Sequence, residues 1–319
     1  MSNLKKRYNL ANGTKFGKRI KLRFQLLKRK DCELEYKLEK EKIIIFGKDD
    51  FCSKHIFECG QFFAYNKNGN DYEIFAGDKK AVVKENNFGF EIVTKDTKFF
   101  EAFLDLGTDY SDLKKKLSKY EILKEPIKFG YGIRILKQSV FETLISFILS
   151  ANNNIKRFTK TLFQIREKFG KKMQDYFAFP THKELLCATE KDFTDFGAGY
   201  RAKYLYQVLR QVDENILEHW KGLPTKELRK QLIGLAGVGP KVADCVLLFG
   251  YGRGEVFPVD TWINQMYNKF YGENGESREK IREILTEQFQ ELSGYAQQYL
   301  FYFMRSNEGL IANSNSNKV

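Results

Sequence analysis

The chain has 319 residues, of which 42% are hydrophobic and 15% aromatic, so it is long enough for two or three packed domains and too apolar to be disordered throughout. No run of 18 apolar residues occurs, which excludes a membrane-spanning helix. The formal net charge is +13, but residues 1–30 hold eleven lysines and arginines and no acid, so this basic N-terminal extension carries most of the charge and favours nucleic acid as a partner.

Residues 31–128 are predicted to form an antiparallel sheet domain. Asn68-Gly69 between two apolar runs indicates a hairpin, and an Asn-rich turn at 85–87 indicates a second one. Short strands joined by local turns favour a meander over a βαβ series. The apolar runs lie at residues 43–46, 62–65, 72–75, 81–83 and 88–93.

Residues 129–305 are predicted to be helical. The fold class is therefore α+β, with a twisted N-terminal antiparallel sheet followed by two helical subdomains that carry a helix-hairpin-helix motif. Residues 306–319, which are rich in Ser and Asn, are predicted to form a disordered tail. Helices are expected at residues 138–150, 155–169, 277–292 and 295–304, and another is expected to end at Leu209.

The motif itself is the stretch Gly237-Val238-Gly239-Pro240-Lys241. Two glycines two residues apart permit a tight turn, and proline suits the first position of a helix. The hairpin N–H groups and the second helix's N-terminus predict a phosphate site. Lys241 stands at that positive helix end, which favours the uncharged, nucleophilic amine. On the hairpin alone, a module that only grips the DNA backbone is an equally good interpretation.

A carboxylate follows nineteen residues later in Pro258-Val259-Asp260. Asp260 precedes apolar residues at helical spacing, so it can also be a plain helix N-cap. A hairpin lysine with a downstream Pro-Val-Asp resembles the helix-hairpin-helix superfamily of base-excision DNA glycosylases.

From about Cys59 to Met304 the chain resembles, more narrowly, the 8-oxoguanine DNA glycosylase/AP lyase family of eukaryotes and its bacterial relatives. Six motifs carry the resemblance, and they occur in the family's order. They are Gly60-Gln61, Ser146–Ile148 with Asn152–Ile155, Gly199–Ala202, Gly237–Cys245, Pro258–Asp260 and Tyr295–Phe301.

The resemblance implies a reaction on double-stranded DNA that contains oxidised guanine. Lys241 would attack the anomeric carbon of the sugar, expel the base and form an imine, after which β-elimination nicks the strand. Asp260 would stabilise the cationic sugar and help to keep Lys241 uncharged, two tasks that suit a carboxylate. The N-cap role of Asp260 is compatible with both.

The resemblance also assigns a base pocket. The Gly60 carbonyl would accept the N7–H that 8-oxoguanine has and guanine lacks. Gln297 would read the Watson–Crick edge, Phe301 on the same helix face would stack on the base, and Cys245 would abut it. Alternatively, Gly60 is a turn glycine, Phe301 a core residue and Cys245 a small buried apolar residue.

A third group by resemblance fills the space that the base vacates and reads the orphan cytosine. Its members are Asn152, Arg157, Tyr200 and Arg201. Arg157 can instead be an ordinary solvated arginine. The DNA backbone would be held by the N–H groups of Gly237, Val238 and Gly239.

Two positions depart from the family. Trp262 stands where eukaryotic members have a phosphate-contacting histidine, and Met304 stands at an acidic position near the pocket helix. We interpret the two as linked, an apolar packing in place of a polar pair. The five cysteines are scattered and the three histidines have no paired spacing, so neither a disulfide framework nor a metal site is expected, and no cofactor is required.

The sequence therefore predicts a monomeric DNA repair enzyme that excises 8-oxoguanine opposite cytosine and then cleaves the strand. Its expected location is cytoplasmic, with the nucleoid of a bacterium, or nuclear in a eukaryote. Two alternatives stay open. One is a monofunctional alkylpurine glycosylase, which shares the fold and the aspartate but need not have the lysine. The other is a non-enzymatic DNA-binding protein that uses the hairpin alone.

Overall fold

The computed structural model describes residues 34–272 and 275–307. The basic extension at 1–30 and the part of the predicted tail after Asn307 lie outside the described residues. Ser306, expected in that tail, instead ends the last helix. Within the described ranges no helix is both long and apolar enough to cross a membrane.

A six-stranded antiparallel sheet forms the N-terminal part, with strand order β1-β2-β6-β5-β4-β3. Its buried face carries isoleucines and valines from alternate positions, as the two-residue period of a strand requires. The helix Thr97–Phe103 packs on this sheet next to β2. The strands are β1 Glu35–Leu38, β2 Lys42–Phe46, β3 Tyr65–Asn68, β4 Asp71–Ala76, β5 Lys79–Asn86 and β6 Gly89–Val93.

The predicted hairpins are confirmed, but one strand is misplaced. Asn68 pairs with Asp71 across the turn that contains Gly69, whose φ is +61°. The strand predicted at 62–65 is wrong because Phe62 and Phe63 are core residues, the first in the sheet core and the second in the helical core. Their apolar run reflects burial on the way into β3, which begins only at Tyr65.

Helices make up the rest, and the α+β class is confirmed. Most predicted helices are present within a few residues of their expected ends, because their caps are encoded locally: the Asn154 side chain accepts from the Lys156 N–H at 2.9 Å and starts α6. The helices are α1 Ser53–Phe57, α2 Thr97–Phe103, α3 Tyr110–Leu117, α4 Lys124–Phe129, α5 Val140–Ser150, α6 Ile155–Phe169, α7 His182–Leu185, α8 Glu190–Asp195, α9 Arg201–Gln211, α10 Glu214–Trp220, α11 Thr225–Ile233, α12 Pro240–Phe249, α13 Thr261–Tyr271, α14 Arg278–Phe289 and α15 Ser293–Ser306, with 3₁₀ turns at Glu121–Leu123 and Gln290–Leu292.

Two apolar cores hold the helices. One surrounds α5 and α12, and the other joins α13, α14 and α15 with residues from 117–133 and with Cys59. Because Cys59 belongs to the second of these cores, the loop after α1 is held against the last helix. The expected domain boundaries, at 31–128 and 129–305, stay predictions.

Candidate active site

The predicted helix-hairpin-helix is formed by α11, the turn at 234–239 and α12. Gly237 has a φ of +76°, and a Cβ there would lie 2.7 Å from the Cβ of Tyr204, so only glycine fits this position without strain. Gly239 caps α12 and Pro240 occupies its first turn, as predicted. The hairpin therefore holds Lys241 in the first turn of α12.

Lys241 and Asp260 line one cavity of about 740 Å³. Its wall is built from the hairpin, the start of α12, residues 259–262, the first turns of α14 and the loop after α5. Lys241 is half-buried, and its Nζ lies 5.0 Å from the centre of the Phe147 ring. Both expected catalytic residues therefore border the same cavity, where they can reach one ligand.

Asp260 is held in position at the start of α13. Its Oδ1 accepts a hydrogen bond from the Ile263 N–H at 2.9 Å, so it caps α13. Burial raises the pKa of the Asp260 carboxyl, while the bond from Ile263 and the charge of Lys241 act in the opposite direction. Asp260 therefore serves as the N-cap of α13 while it also lines the cavity.

Cys245 lies one turn after Lys241 and is buried. Burial raises the pKa of its thiol to about 11, although the nearby charge of Lys241 lowers it. The residue is therefore a thiol rather than a thiolate. The other described cysteines, Cys52, Cys59 and Cys187, are also free.

A charged network in the wall of the cavity, which includes Asp244, Glu279 and Arg282, was not expected as part of the site. Asp244 is buried on α12, and Arg229 of α11 donates hydrogen bonds to both oxygens of the Asp244 carboxylate, at 2.7 and 3.2 Å. The same guanidinium binds both oxygens of Glu279 on α14 at 2.9 Å each, and Arg282 donates to Glu279 at 2.9 Å. Three helices around the cavity are thus tied together. The signal in the sequence was an aspartate in an otherwise apolar helix.

The hairpin also borders a second cleft, of about 390 Å³, which contains Tyr200. Tyr200 is 57% exposed, and its ring lies edge-on to that of Tyr204, with 5.9 Å between the ring centres. Asn152 is exposed with a φ of +48°, a left-handed conformation that asparagine tolerates better than most residues. Arg157 is exposed on the first turn of α6. All three residues lie on the surface, but only Asn152 and Tyr200 line the cavities that the hairpin borders.

The fourth member, Arg201, has a different environment from the one expected. Its side chain is only 5% exposed, and its guanidinium donates to the backbone carbonyls of Ala151, Asn152 and Ala198. It therefore positions the asparagine loop from below. A contact with the opposite base stays a prediction that would require these bonds to break.

Of the residues assigned to the base pocket, Gly60, Gln297 and Phe301 form a separate group that does not line the 740 Å³ cavity. Gly60 has a φ of +83° and packs against α15, where a Cβ would lie 2.9 Å from the Phe301 ring. Gln297 is one turn earlier on the same helix and is 5% exposed. The Gln298 side chain, not foreseen from the sequence, donates to the Cys59 carbonyl at 2.8 Å and holds the glycine loop to α15.

The two departures from the family lie near the same core. Trp262 lines the 740 Å³ cavity and packs against the core of α13, α14 and α15, and Met304 is a fully buried member of that core. The two residues therefore share one apolar core, and the linked replacement of a polar pair stays a prediction.

Two family models match the chain, one after the other. Residues 43–144 match the N-terminal domain of 8-oxoguanine DNA glycosylase, and residues 145–291 match the HhH-GPD superfamily of base excision DNA repair proteins.

Named relatives agree with these matches. An N-glycosylase/DNA lyase of Saccharomyces cerevisiae is 30% identical over 298 residues, 79% of this chain and 76% of the relative. A probable N-glycosylase/DNA lyase of Methanothermobacter thermautotrophicus is 30% identical over 232 residues, 65% of this chain and 72% of the relative. The 8-oxoguanine glycosylase/lyase of Clostridium acetobutylicum, solved with double-stranded DNA containing cytosine opposite 8-oxoguanine, superposes with a TM-score of 0.81 and 39% identity over 87% of this chain and 99% of its own.

Proposed function

Because the chain belongs to the N-glycosylase/DNA lyase family, a family of DNA repair enzymes, we propose that it excises 8-oxoguanine paired with cytosine from duplex DNA and then cleaves the strand. The observation that carries the proposal is that Lys241 and Asp260 line one cavity beside the hairpin. The activity of the Clostridium relative, an 8-oxoguanine glycosylase/lyase, supports the substrate.

In the proposed reaction, the Nζ of Lys241 forms a bond to C1′ while the bond from C1′ to N9 breaks. The bonding pair leaves with the base, and positive charge develops on the sugar. The carboxylate of Asp260 opposes that charge from the same cavity. Opening of the sugar ring gives an imine, loss of a proton from C2′ then expels the 3′ phosphate, and the strand is nicked.

The duplex is proposed to lie across the hairpin. The N–H groups of Gly237, Val238 and Gly239 would hold a phosphate, and Tyr200 in the adjoining cleft would enter the base stack. Exposed Asn152 and Arg157 would contact the orphan cytosine. Arg201 would support them by holding the asparagine loop.

The extruded base would lie between α15 and the loop at Gly60. Gly60 would accept N7–H, Gln297 would read the Watson–Crick edge, Phe301 would stack, and Cys245 would abut the ring. We further propose that the protein acts as a monomer in the compartment that contains the DNA. It is proposed to need neither a metal nor a cofactor.

The test is a nicking assay on labelled duplexes that carry 8-oxoguanine opposite each of the four bases. The wild type should nick the duplex opposite cytosine fastest, and borohydride should trap a covalent adduct. Lys241→Gln should give neither nick nor adduct. Lys124→Gln, which removes an exposed lysine paired with Glu121, is the matched control and should behave as wild type.

Three outcomes would contradict the proposal. They are a wild type that gives no adduct, a Lys241→Gln variant that still nicks, and release of 3-methyladenine without a nick. The last would favour a monofunctional alkylpurine glycosylase. DNA binding without any base release would favour the non-enzymatic alternative.

A further inference from the structure

An arginine stands among the proposed base-pocket residues. Gln297, Phe301 and Arg305 follow at intervals of four on α15, so they share one helix face. That face meets the loop before Gly60, where the Arg305 guanidinium donates a hydrogen bond to the Glu58 carbonyl. A Cβ on Gly60 would lie 2.6 Å from Nη1 of Arg305, and Cζ of Arg305 lies 5.1 Å from the centre of the Phe301 ring.

The Arg305 guanidinium has more N–H donors than its hydrogen bond to Glu58 uses. In the described part of the chain no carboxylate lies within 4.0 Å of its guanidinium. The carboxylate of Glu58, whose backbone carbonyl binds Arg305, is directed elsewhere, to Lys67 at 2.7 Å and to the Tyr72 hydroxyl. A guanidinium carries five N–H donors, and the Glu58 carbonyl uses one nitrogen. A ligand that offers an acceptor can therefore be bound here.

At the other end of this helix face, Gln297 presents an acceptor that lacks a donor. Gln297 is 5% exposed, and its Oε1 has no hydrogen-bond partner among residues 34–272 and 275–307. A buried carbonyl without a donor is destabilising, so it points to a donor supplied by a ligand. The face thus offers an acceptor at Gln297, an aromatic ring at Phe301 and donors at Arg305.

These three features match one kind of ligand. A planar aromatic base could stack on the ring, present N–H donors to the amide and present a carbonyl oxygen to the guanidinium. A purine oxidised at C8 has N–H groups on its Watson–Crick edge and an added oxygen on the opposite side of the bicycle. Unmodified guanine has only a hydrogen at C8.

We propose that Arg305 is a specificity-determining residue whose guanidinium donates a hydrogen bond to the C8 oxygen of the extruded oxidised purine. The inference rests on the proposed function. It deepens that function, because N7 and C8 are adjacent atoms and Arg305 is adjacent to Gly60. Two neighbouring groups of the protein would then read the two changes that oxidation makes.

The experiment uses Arg305→Met, which keeps an unbranched apolar stem, although a shorter one, and removes the guanidinium donors. Single-turnover base release is measured on duplexes with 8-oxoguanine or 8-thioguanine, and strand cleavage is measured on a duplex with a preformed abasic site, each opposite cytosine. Sulfur at C8 is a weak acceptor, whereas N7–H is retained. We expect release of 8-oxoguanine to fall roughly 10- to 100-fold, the range for a lost hydrogen bond to a charged group.

Two further results are expected of the same variant. Release of 8-thioguanine should fall much less, so the preference for oxygen over sulfur should shrink. Cleavage at the abasic site should be unchanged, because no base is present to be read. Arg210→Met is the matched control, since Arg210 also stacks on a ring, that of Tyr206 at 3.5 Å, and donates to a carbonyl, but lies outside the site.

The outcomes separate this inference from the function on which it rests. A wild type that releases no 8-oxoguanine contradicts the proposed function. An active wild type with an equally active Arg305→Met contradicts only the role of Arg305. Equal losses on the oxygen and sulfur substrates would show that Arg305 merely supports the loop at Gly60. A parallel loss of abasic-site cleavage and melting temperature would show that it supports the fold in general.

Discussion

The lysine–aspartate junction and the base pocket are built in different ways. The junction, Gly237 to Trp262, is one continuous stretch whose glycines, proline and helix caps act on their neighbours. The pocket joins the loop at 58–60 to α15 through hydrogen bonds between residues 239 and 247 positions apart. The reaction chemistry is thus encoded locally, whereas recognition of the base depends on long-range packing.

The difference has a consequence for experiments. Variants of the junction should impair both base release and cleavage of a preformed abasic site, because both use Lys241. Variants of the pocket should impair base release alone. The following four changes test this division, from the largest expected effect to the smallest.

Asp260→Asn should lower base release roughly 100- to 1000-fold, since it removes the charge that opposes the cationic sugar. Asparagine caps helices as well as aspartate does, so α13 should keep its start. Asp260→Ala is the comparison, because it loses the cap as well and should also lower the melting temperature. Full activity of Asp260→Asn in single-turnover assays would contradict the proposed role.

The melting temperature of Asp260→Asn relative to the wild type should depend on pH. Burial raises the pKa of Asp260 in the folded state above its unfolded value, so the native state gains stability as the pH falls through the raised pKa. At pH 8 the ionised carboxylate is a cost to folding, and Asp260→Asn should melt at a higher temperature than the wild type. The difference should shrink at pH 4. A lower melting temperature at pH 8 would contradict this sign.

Arg229→Met should cost about 2–3 kcal/mol of unfolding free energy, because it leaves Asp244 buried without its partner. The value lies below that of a fully buried pair since Arg229 and Glu279 are partly exposed. Denaturant unfolding measures the loss. The double variant Arg229→Met/Asp244→Leu should recover part of the lost unfolding free energy, because the unpaired charge is removed. No recovery would contradict charge pairing as the source of the stability.

Gly60→Ala should slow base release roughly 10- to 30-fold and leave abasic-site cleavage intact. The left-handed backbone costs about 1–2 kcal/mol for an L-residue, and the new methyl group would strike Phe301 and Arg305. Gly69→Ala is the matched control, with a similar φ of +61° but open space around it. Equal effects of the two changes on base release would mean that strain, not the pocket, is responsible.

Arg157→Ala should leave the melting temperature unchanged, because the side chain is exposed. It should reduce the preference for cytosine over the other opposite bases by roughly 5- to 10-fold, as expected for one lost base contact. Arg201→Ala should instead lower the melting temperature, because three backbone carbonyls lose their donor. An unchanged opposite-base preference in Arg157→Ala would favour an ordinary solvated arginine.

Much of the architecture could be predicted from the sequence. The family resemblance, the fold class and the helix-hairpin-helix are confirmed. The strand expected at 62–65 was wrong because an apolar run does not distinguish a strand from a buried connection. The buried state of Arg201 was also not visible, since an arginine beside a glycine-rich loop can point to solvent or beneath the loop.

The sequence by itself determined where the helices begin, how the hairpin turns, and that a lysine and an aspartate follow it at a fixed spacing. Caps, glycines and apolar periodicity act over a few residues, so they can be read directly. Only the tertiary structure decided that the loop at Gly60 meets α15, that Arg229 joins three helices, and that Arg305 stands over Phe301. Contacts between residues more than 200 positions apart depend on how the cores pack, and no local pattern specifies that packing.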